Sequence, residues 1–493
     1  MSLTLPVIDV GLDTDYIKKI FEQISEDREL LYISEETKEC IRKYKEKINK
    51  DNAKDLWKDL LIDAICLLKI NDSREKLYND TCKIVNKEDE NYLDKFSSIR
   101  SISAYGIDEL SGYFDDFVAF ESVLYGTGEF YRDHIHHVLN VWVLGVGLLF
   151  GHAPISINLS EDFKVSKKDF HFQIENDKSQ SISKGELWSM WTIIALCHDL
   201  GYPLEKASQI NQKVRKIVNH FGCLNFNELN FNFDILNTFI VEKYLNIISS
   251  KTVKSDENCP DENFEQHHTK IQHKYHDKFS KSLEDYKHGA FSGLLLFKKL
   301  TYFLETDYAP TNETLSTEDL RQFYIRKEIL RSICGHTCPK IYHLHLNTLS
   351  FLLIICDELQ EWGRPRFEDM LSGERKDKQV GKLIKFQTNE NTEIHVEIKY
   401  KDLEVKEKTN QEEIEENIVK KKFKNFLCLL RSAKDDEKRK VKFKWEIIFQ
   451  NQQYVFNFDT GKSSYEMYYS YSQDITDEKK PGEEEKFHIY KQQ

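Results

Sequence analysis

An adjacent histidine and aspartate at the end of an apolar segment carry the clearest chemical signal in this sequence. Residues 190–197 are almost entirely apolar, and His198 and Asp199 follow them directly, before Gly201 and Pro203 turn the chain. Neighbouring residues of a helix point about 100° apart, so both side chains reach one ion only if it lies over the helix end. An imidazole and a carboxylate suit divalent metals such as Mn, Fe, Co, Ni or Zn. We therefore predict a metal site here.

Three histidines upstream stand close together in a segment that also has helical character. They are His134, His136 and His137. Residues three apart share a face of a helix, so His134 and His137 point the same way while His136 points elsewhere. Either one of these histidines or a hydrogen-bonded group of all three is compatible with that spacing.

Three more polar residues stand at the ends of apolar segments further along the chain. His288 begins one such segment, His336 lies at the end of another, and Asp357 follows an unbroken apolar run. A charged or polar group at the end of a buried helix needs a partner or a metal, because its desolvation is costly. These residues are therefore candidates for the same site, and the alternative is ordinary burial with backbone hydrogen bonds.

Long apolar helices would have to position these side chains. Such helices are predicted at 138–150, 190–197, 289–300 and 346–356. Helices as apolar as these are buried on all sides, so they form the core of a domain. Segments between about residues 13 and 110 have apolar residues at helical spacing and charged faces, which indicates packing helices with no chemical role.

The region after residue 366 has a different pattern. Apolar and polar residues alternate at 382–387, 394–400, 441–449 and 454–458, which predicts strands, whereas residues 411–431 favour a charged helix. The fold class is therefore predicted as mainly α, with an N-terminal helical region at 1–114, a metal-binding domain at 115–366 and a C-terminal α+β accessory domain at 367–493.

The overall charge limits the partners of the protein. The 493 residues include 70 Lys and Arg against 83 Asp and Glu, a net charge of −13. Bulk binding of duplex nucleic acid through phosphates needs a cationic surplus, so it is not expected, whereas a small anionic substrate remains compatible.

The 10 cysteines show no disulfide spacing, and the N-terminus has no signal-peptide pattern. We expect a cytoplasmic protein with no membrane segment, and a homo-oligomer is one assembly it could adopt.

The order of these motifs resembles the HD superfamily of metal-dependent phosphohydrolases, whose core is all-helical. The resemblance covers about residues 115–366 and implies that His137, His198, Asp199 and Asp357 bind a divalent metal (Mn, Fe, Co, Ni, Mg or Zn). It implies one or two metals per chain, with His288 and His336 as further ligands and Asp199 between the two ions. Although Gly201 begins a Gly-Tyr-Pro tripeptide, the HD-GYP branch carries that tripeptide in a separate motif, so cyclic-di-GMP is not implied.

The chemistry implied by this resemblance is hydrolysis of a nucleotide, a signalling nucleotide or a short oligonucleotide. A metal-activated water would attack phosphorus, with Asp199 at the metals and His134 as a proton donor to the leaving oxygen. Arg132, Lys206 and Arg364 flank the motifs and could bind the phosphate, although a structural salt bridge is the alternative for each.

Two other functions remain compatible with the same residues. The ligand set also resembles the di-iron oxygenases of the HD scaffold, which are similar to inositol oxygenase. A non-catalytic nucleotide sensor is the other alternative, in which the pocket binds its ligand and the C-terminal domain signals to a partner. Iron content with oxygen consumption would indicate the first, and tight nucleotide binding without turnover the second.

Overall fold

A computed structural model describes most of the helical part of the chain and the strands that follow it. The described residues are 33–72, 106–125, 134–150, 184–220, 235–254, 267–306, 317–338, 344–345, 348–360, 381–388, 393–400, 433–434, 442–449, 452–459, 464–471 and 485–491. The chain divides into two compact units. The helical unit comprises residues 24–142 and 164–341, and the sheet unit comprises residues 1–23, 143–163 and 342–493.

The helical unit contains most of the helices. In chain order these are α1 (Glu35–Glu46), α2 (Lys50–Asp72), α3 (Ile107–Tyr125), α4 (Ile135–Phe150), α5 (Lys184–Cys197), α6 (Tyr202–Val218), α7 (Ile235–Ser249), α8 (His273–Glu284), α9 (His288–Lys299), the short α10 (Thr301–Leu304) and α11 (Thr317–Gly335). The boundary between the units falls within α4, after Trp142. Strands β1 (Ser250–Lys254) and β2 (His267–Ile271) form an antiparallel pair between α7 and α8.

Helix α5 lies at the centre of the helical unit. All of its residues from Gly185 to Cys197 are buried, including the segment 190–197, whose largely apolar sequence predicts burial. Helix α2 packs along it, and the Nε1 of Trp57 donates a hydrogen bond to the carbonyl oxygen of Leu196 at 2.8 Å. The Trp57 ring also stacks on Phe114 of α3, with ring centroids 3.9 Å apart. The end of α5 is therefore held between two other helices.

The chain turns sharply where α5 ends. Helix α5 ends at Cys197, a turn spans residues 198–201, and α6 begins at Tyr202. Pro203 stands in the first turn of α6, where its missing N–H is not needed and its fixed φ favours the helix. The predicted helix end before the His198-Asp199 doublet is confirmed.

The sheet unit contains helix α12 (Leu349–Leu359) and most of the strands. Its principal sheet has the strand order β10-β9-β8-β7-β5-β4. These strands are β4 (Gly381–Thr388), β5 (Glu393–Tyr400), β7 (Lys442–Phe449), β8 (Gln452–Asp459), β9 (Ser464–Tyr471) and β10 (Glu485–Lys491). Neighbouring strands are antiparallel except β5 and β7, which are parallel. The short β3 (Leu344–His345) and β6 (Ala433–Lys434) pair in parallel.

The mainly α fold class is confirmed for the helical region, and the strands predicted after residue 366 are present. The charged helix predicted at 411–431 lies outside the described residues. The domain boundaries after residues 114 and 366 stay predictions. In the part of the chain that the structure describes, no helix combines the length and apolar character needed to cross a membrane.

Candidate metal centre

Four imidazoles converge on the carboxylate of Asp199. Its Oδ2 lies 3.5 Å from Nε2 of His137 and 3.4 Å from Nε2 of His198. Its Oδ1 lies 3.2 Å from Nε2 of His288 and 3.8 Å from Nε2 of His336. Each carboxylate oxygen therefore faces its own pair of histidines.

Several different segments of the helical unit bring these groups together. His137 lies in the first turn of α4, and His198 and Asp199 occupy the turn between α5 and α6. His288 is the first residue of α9, whereas His336 follows the last residue of α11. The site thus forms where helix ends meet, which is why each ligand candidate stood at the edge of an apolar segment in the sequence.

The tautomers of two histidines are fixed by backbone carbonyl groups. Nδ1 of His198 lies 2.8 Å from the carbonyl oxygen of Ala195, and Nδ1 of His336 lies 2.6 Å from that of Ile333. A carbonyl oxygen only accepts, so Nδ1 must donate the proton in both rings. Each ring therefore leaves Nε2 facing Asp199, and Nε2 is the nitrogen that would bind a metal.

A half-buried carboxylate that sequence reasoning missed holds the ring of His288. Oε2 of Glu205 accepts hydrogen bonds from the backbone N–H of His288 at 3.0 Å and from its Nδ1 at 2.8 Å. Burial opposes the charge of Glu205, but the hydrogen bonds from His288 keep the pKa of the carboxyl below its ordinary value. In the sequence Glu205 is an acid in the first turn of a helix, a common placement that gave no signal of its own.

Asp199 and His288 each shift the pKa of the other. Burial would raise the pKa of Asp199, yet the neighbouring His198, His288 and His336 hold it well below the ordinary value. For His288, burial favours the neutral ring, but Asp199 and Glu205 outweigh it and raise the pKa to about 9. Nε2 of His288 is only 3.1 Å from Nε2 of His336, a distance at which two lone pairs repel unless a proton or a cation lies near them.

These side chains fit a metal by their chemistry. One group of three that could hold an ion is His137, His198 and Asp199, and another is Asp199, His288 and His336, with all ligand atoms of a group within 4.8 Å of one another. Imidazole nitrogen and carboxylate oxygen are the usual protein ligands of Zn, Mn, Fe, Co and Ni. Asp199 belongs to both groups, so the two positions share one carboxylate.

Two glycines allow the helix ends to approach this closely. A Cβ at Gly201 would lie 2.2 Å from the carbonyl oxygen of His288, and a Cβ at Gly289 would lie 2.6 Å from that of Ile333. Any side chain at these positions would push α9 away from the turn after α5 or from the end of α11. Because glycine has no Cβ, Gly201 and Gly289 allow His288 and His336 to approach Asp199.

His134 lies beside this centre and is held by a buried carboxylate, that of Glu121. Oε1 of Glu121 accepts the backbone N–H of His134 at 2.6 Å and lies 3.4 Å from its Nδ1, while Oε2 of Glu121 lies 3.4 Å from Nζ of Lys50. The ring of Tyr202 contacts His134 at 4.0 Å and His288 at 5.6 Å between centroids. Neither Glu121 nor Tyr202 was expected from the sequence.

The neighbouring His136 points away, as the helical spacing predicts. Its Nδ1 lies 3.2 Å from the hydroxyl of Tyr44 on α1. Among the three upstream histidines, only His137 lies within 3.5 Å of Asp199. The structure thus separates residues that the sequence alone left as alternatives.

Of the predicted phosphate-binding residues, only Lys206 falls within the described part of the chain. Its Nζ lies 4.9 Å from the centroid of the Tyr202 ring, and burial lowers its pKa below the ordinary value despite Glu205. Arg132 and Arg364 lie outside the described residues. Asp357 lies in α12 of the sheet unit, and its role as a ligand stays a prediction.

Most of the side chains of the centre are buried. His137, His198, Asp199 and His336 are buried, whereas the side chains of His288 and Glu205 are 18% and 19% exposed. A small molecule reaching the centre within the helical unit would therefore meet His288 and Glu205 first.

Comparisons with known protein families, with curated proteins and with solved structures each find no match to this chain. The resemblance to the HD superfamily therefore rests on the residues of the chain itself.

Proposed function

We propose that the protein is a metal-dependent phosphohydrolase of the HD type, which hydrolyses a nucleotide, a signalling nucleotide or a short oligonucleotide. One observation carries the proposal. The two oxygens of the buried Asp199 carboxylate each face a separate pair of histidine Nε2 atoms, which is the arrangement expected of a carboxylate shared by two cations. An isolated buried carboxylate among four imidazoles has no comparable structural purpose.

The side chains have distinct roles in this proposal. His137 and His198 would hold one ion and His288 and His336 a second, with Asp199 contributing to both. When bound, such ions polarise phosphoryl oxygens and lower the pKa of water. Glu205 keeps the His288 ring oriented, and the backbone carbonyl groups of Ala195 and Ile333 do the same for His198 and His336.

His134 is the proposed proton donor to the leaving oxygen. It is buried next to the centre, and its backbone and ring both face Glu121, so the ring has one fixed orientation. A carboxylate at Nδ1 orients the ring, and Nε2 is then the nitrogen that would pass a proton to the leaving oxygen. Tyr202 packs against this ring, and Lys206, which lies over Tyr202, would contribute a positive charge toward an anionic substrate.

Metal content tests the ligand assignment directly. We expect about two ions per chain in the native protein and about one after His137→Ala or His336→Ala, because each change removes one imidazole from a different group. Inductively coupled plasma mass spectrometry on the purified chain measures this. His136→Gln is the matched control, since His136 is the neighbour of His137 and points away from the centre. Equal loss of metal in the control would contradict the assignment.

Turnover tests the reaction. The protein is stripped with a chelator, reloaded with Mn, Co, Ni, Mg or Zn in turn, and assayed for phosphate release from phosphomonoesters, cyclic nucleotides and short oligonucleotides. We expect hydrolysis with at least one metal and its loss in Asp199→Ala. Full activity of Asp199→Ala would overturn the proposal. Iron content with oxygen uptake would instead identify an oxygenase, and tight nucleotide binding without turnover a sensor.

A further inference from the structure

A cavity of ≈ 540 Å³ lies among α3, α6, α7 and α9 of the helical unit. Most of its wall is apolar, with Phe120, Leu204, Ile240, Phe291 and Leu295 among the contributing side chains. Cavities of roughly 300–1,000 Å³ with apolar walls are typical of sites for small molecules. None of the candidate metal ligands lines it, so this cavity is separate from the metal centre.

Its positive charge comes from one end. Lys298 and Lys299 both line the cavity, and both belong to the last turn of α9. At about 1.5 Å per residue, the distance along α9 from Phe291 to Lys298 is roughly 10 Å. Among the described residues that line the cavity, none is acidic. The cavity is therefore a largely apolar volume whose wall carries two lysines where α9 ends.

Lysines at the C-terminal end of a helix also stabilise the helix through their interaction with its dipole. That effect needs a positive charge near the last carbonyl groups, and it does not require either lysine to line a cavity. The alignment of an apolar volume with two lysines is complementary to an amphiphile that has an apolar chain and an anionic head. A cationic amphiphile would be repelled by the two lysines, whereas an anionic head would be attracted to them.

We propose that this cavity binds a fatty acid, with the hydrocarbon chain between α6, α7 and α9 and the carboxylate next to Lys298 and Lys299. The proposal does not depend on the reaction at the metal centre. The occupant would nevertheless touch the segment that follows Asp199, since Gly201 lines the cavity and the hydroxyl of Tyr113 donates to the carbonyl oxygen of Leu200 at 2.5 Å.

Fluorescence titration of the full chain with dansyl-labelled undecanoic acid tests the site. The native protein is expected to bind it saturably, with displacement by unlabelled oleate. Ala207→Trp places an indole in the cavity wall and should weaken binding by at least about tenfold. Circular dichroism and thermal unfolding check that this variant is folded.

The charged end has its own test, which leaves the apolar walls of the cavity intact. In a Lys298→Met/Lys299→Met variant, the labelled acid should bind about tenfold more weakly, whereas the corresponding labelled alcohol should bind as it does to the native protein. Lys216→Met is the matched control, because Lys216 is an exposed lysine of α6 that does not line the cavity.

Three results would overturn the proposal. They are absence of saturable binding to the native protein, unchanged affinity in a folded Ala207→Trp variant, and equal loss of affinity for acid and alcohol in the double lysine variant. Metal-free and metal-loaded protein should bind the labelled acid with the same affinity, because the candidate metal ligands do not line the cavity.

Discussion

At the scale of single residues, His288 has the most unusual environment in the candidate centre. It is the most exposed of the four imidazoles around Asp199, and it lies between two carboxylates, Asp199 and Glu205. Its Nε2 also lies beside Nε2 of His336. The ring therefore responds both to the charge of the centre and to any cation that enters it.

We predict that metal binding releases a proton from His288. Burial opposes its charge, but Asp199 and Glu205 raise its pKa from 6.5 to about 9, so the metal-free ring is protonated at neutral pH. A metal must displace that proton, so about one proton per chain should be released and the apparent affinity should rise with pH up to about 9. Calorimetry in buffers of different ionisation enthalpy measures the proton.

The same shift affects the stability of the metal-free protein in a defined direction. The folded-state pKa of His288 is above the ordinary value of 6.5, so the stabilisation that the protonated ring gives to the folded state is complete below pH 6.5. It is lost as the pH rises through about 9. Metal binding with no proton release near neutral pH would contradict this description of the ring.

We predict that Glu205→Gln weakens metal binding about 10–100-fold, because the amide no longer supplies a negative charge to Nδ1 of His288. The amide oxygen still accepts the backbone N–H, so α9 should keep its first turn. Competition with a chromophoric chelator measures the affinity. Glu242→Gln, at an exposed position of α7, is the control and should leave the affinity unchanged.

Local sequence was sufficient to select His198, Asp199, His288 and His336 as candidates, because polar residues at the ends of apolar helices are conspicuous. It left the three upstream histidines as alternatives, and His137 was singled out by the resemblance to the HD superfamily. Glu205 and Glu121 could not be found in this way. The first is an ordinary first-turn acid of α6, and its partner His288 lies 83 positions away. The second lies in an amphipathic helix, where a carboxylate is normally solvated, and only the fold buries it beside His134. Such roles depend on contacts between residues far apart in the chain, and a single sequence does not reveal those contacts.

At the scale of the elements, close contact between α9 and the turn after α5 is the feature that joins the two halves of the centre. The backbone N–H of Gly201 donates a hydrogen bond to the hydroxyl oxygen of Ser292 on α9, at 2.7 Å. There is no space between these backbones for a side chain. The sequence predicted the turn from Gly201 and Pro203 but not this approach, since a glycine in a turn is common for many reasons.

We predict that Gly201→Ala destabilises the protein by about 1–3 kcal/mol or more and reduces the metal content, because the new Cβ would overlap the carbonyl oxygen of His288. Gly112→Ala is the matched control. A Cβ at this exposed helical position of α3 meets nothing within 4 Å, so the substitution should stabilise the protein by up to about 1 kcal/mol. Urea unfolding followed by tryptophan fluorescence measures both. Equal effects would contradict the close approach.

At the scale of the whole molecule, the protein combines a net charge of −13 with a cluster of imidazoles and carboxylates buried in its helical unit. An anionic substrate would meet a surface of the same sign, so bound cations would be needed to make the centre attractive to it. The negative net charge of the chain and a metal ion in the candidate centre are thus both compatible with a protein that binds a small anion.

We predict that metal stabilises the chain against unfolding. A ligand that binds only the folded state adds about 2.7 kcal/mol at a free concentration of about 100 times its Kd. Thermal unfolding with and without metal measures this, and the shift should disappear in Asp199→Ala. A shift of the same size in that variant would place the stabilising ion elsewhere.

The contact between Trp57 and Leu196 has a consequence for how the chain folds during synthesis. These residues are separated by 139 positions, yet α2 covers the helix that ends at the His198-Asp199 doublet. The apolar face of α2 leaves the ribosome long before its partner exists, and closing a loop of this length is slow. We expect nascent chains that end before residue 184 to expose this face and to bind chaperones, and release to follow once α5 has emerged.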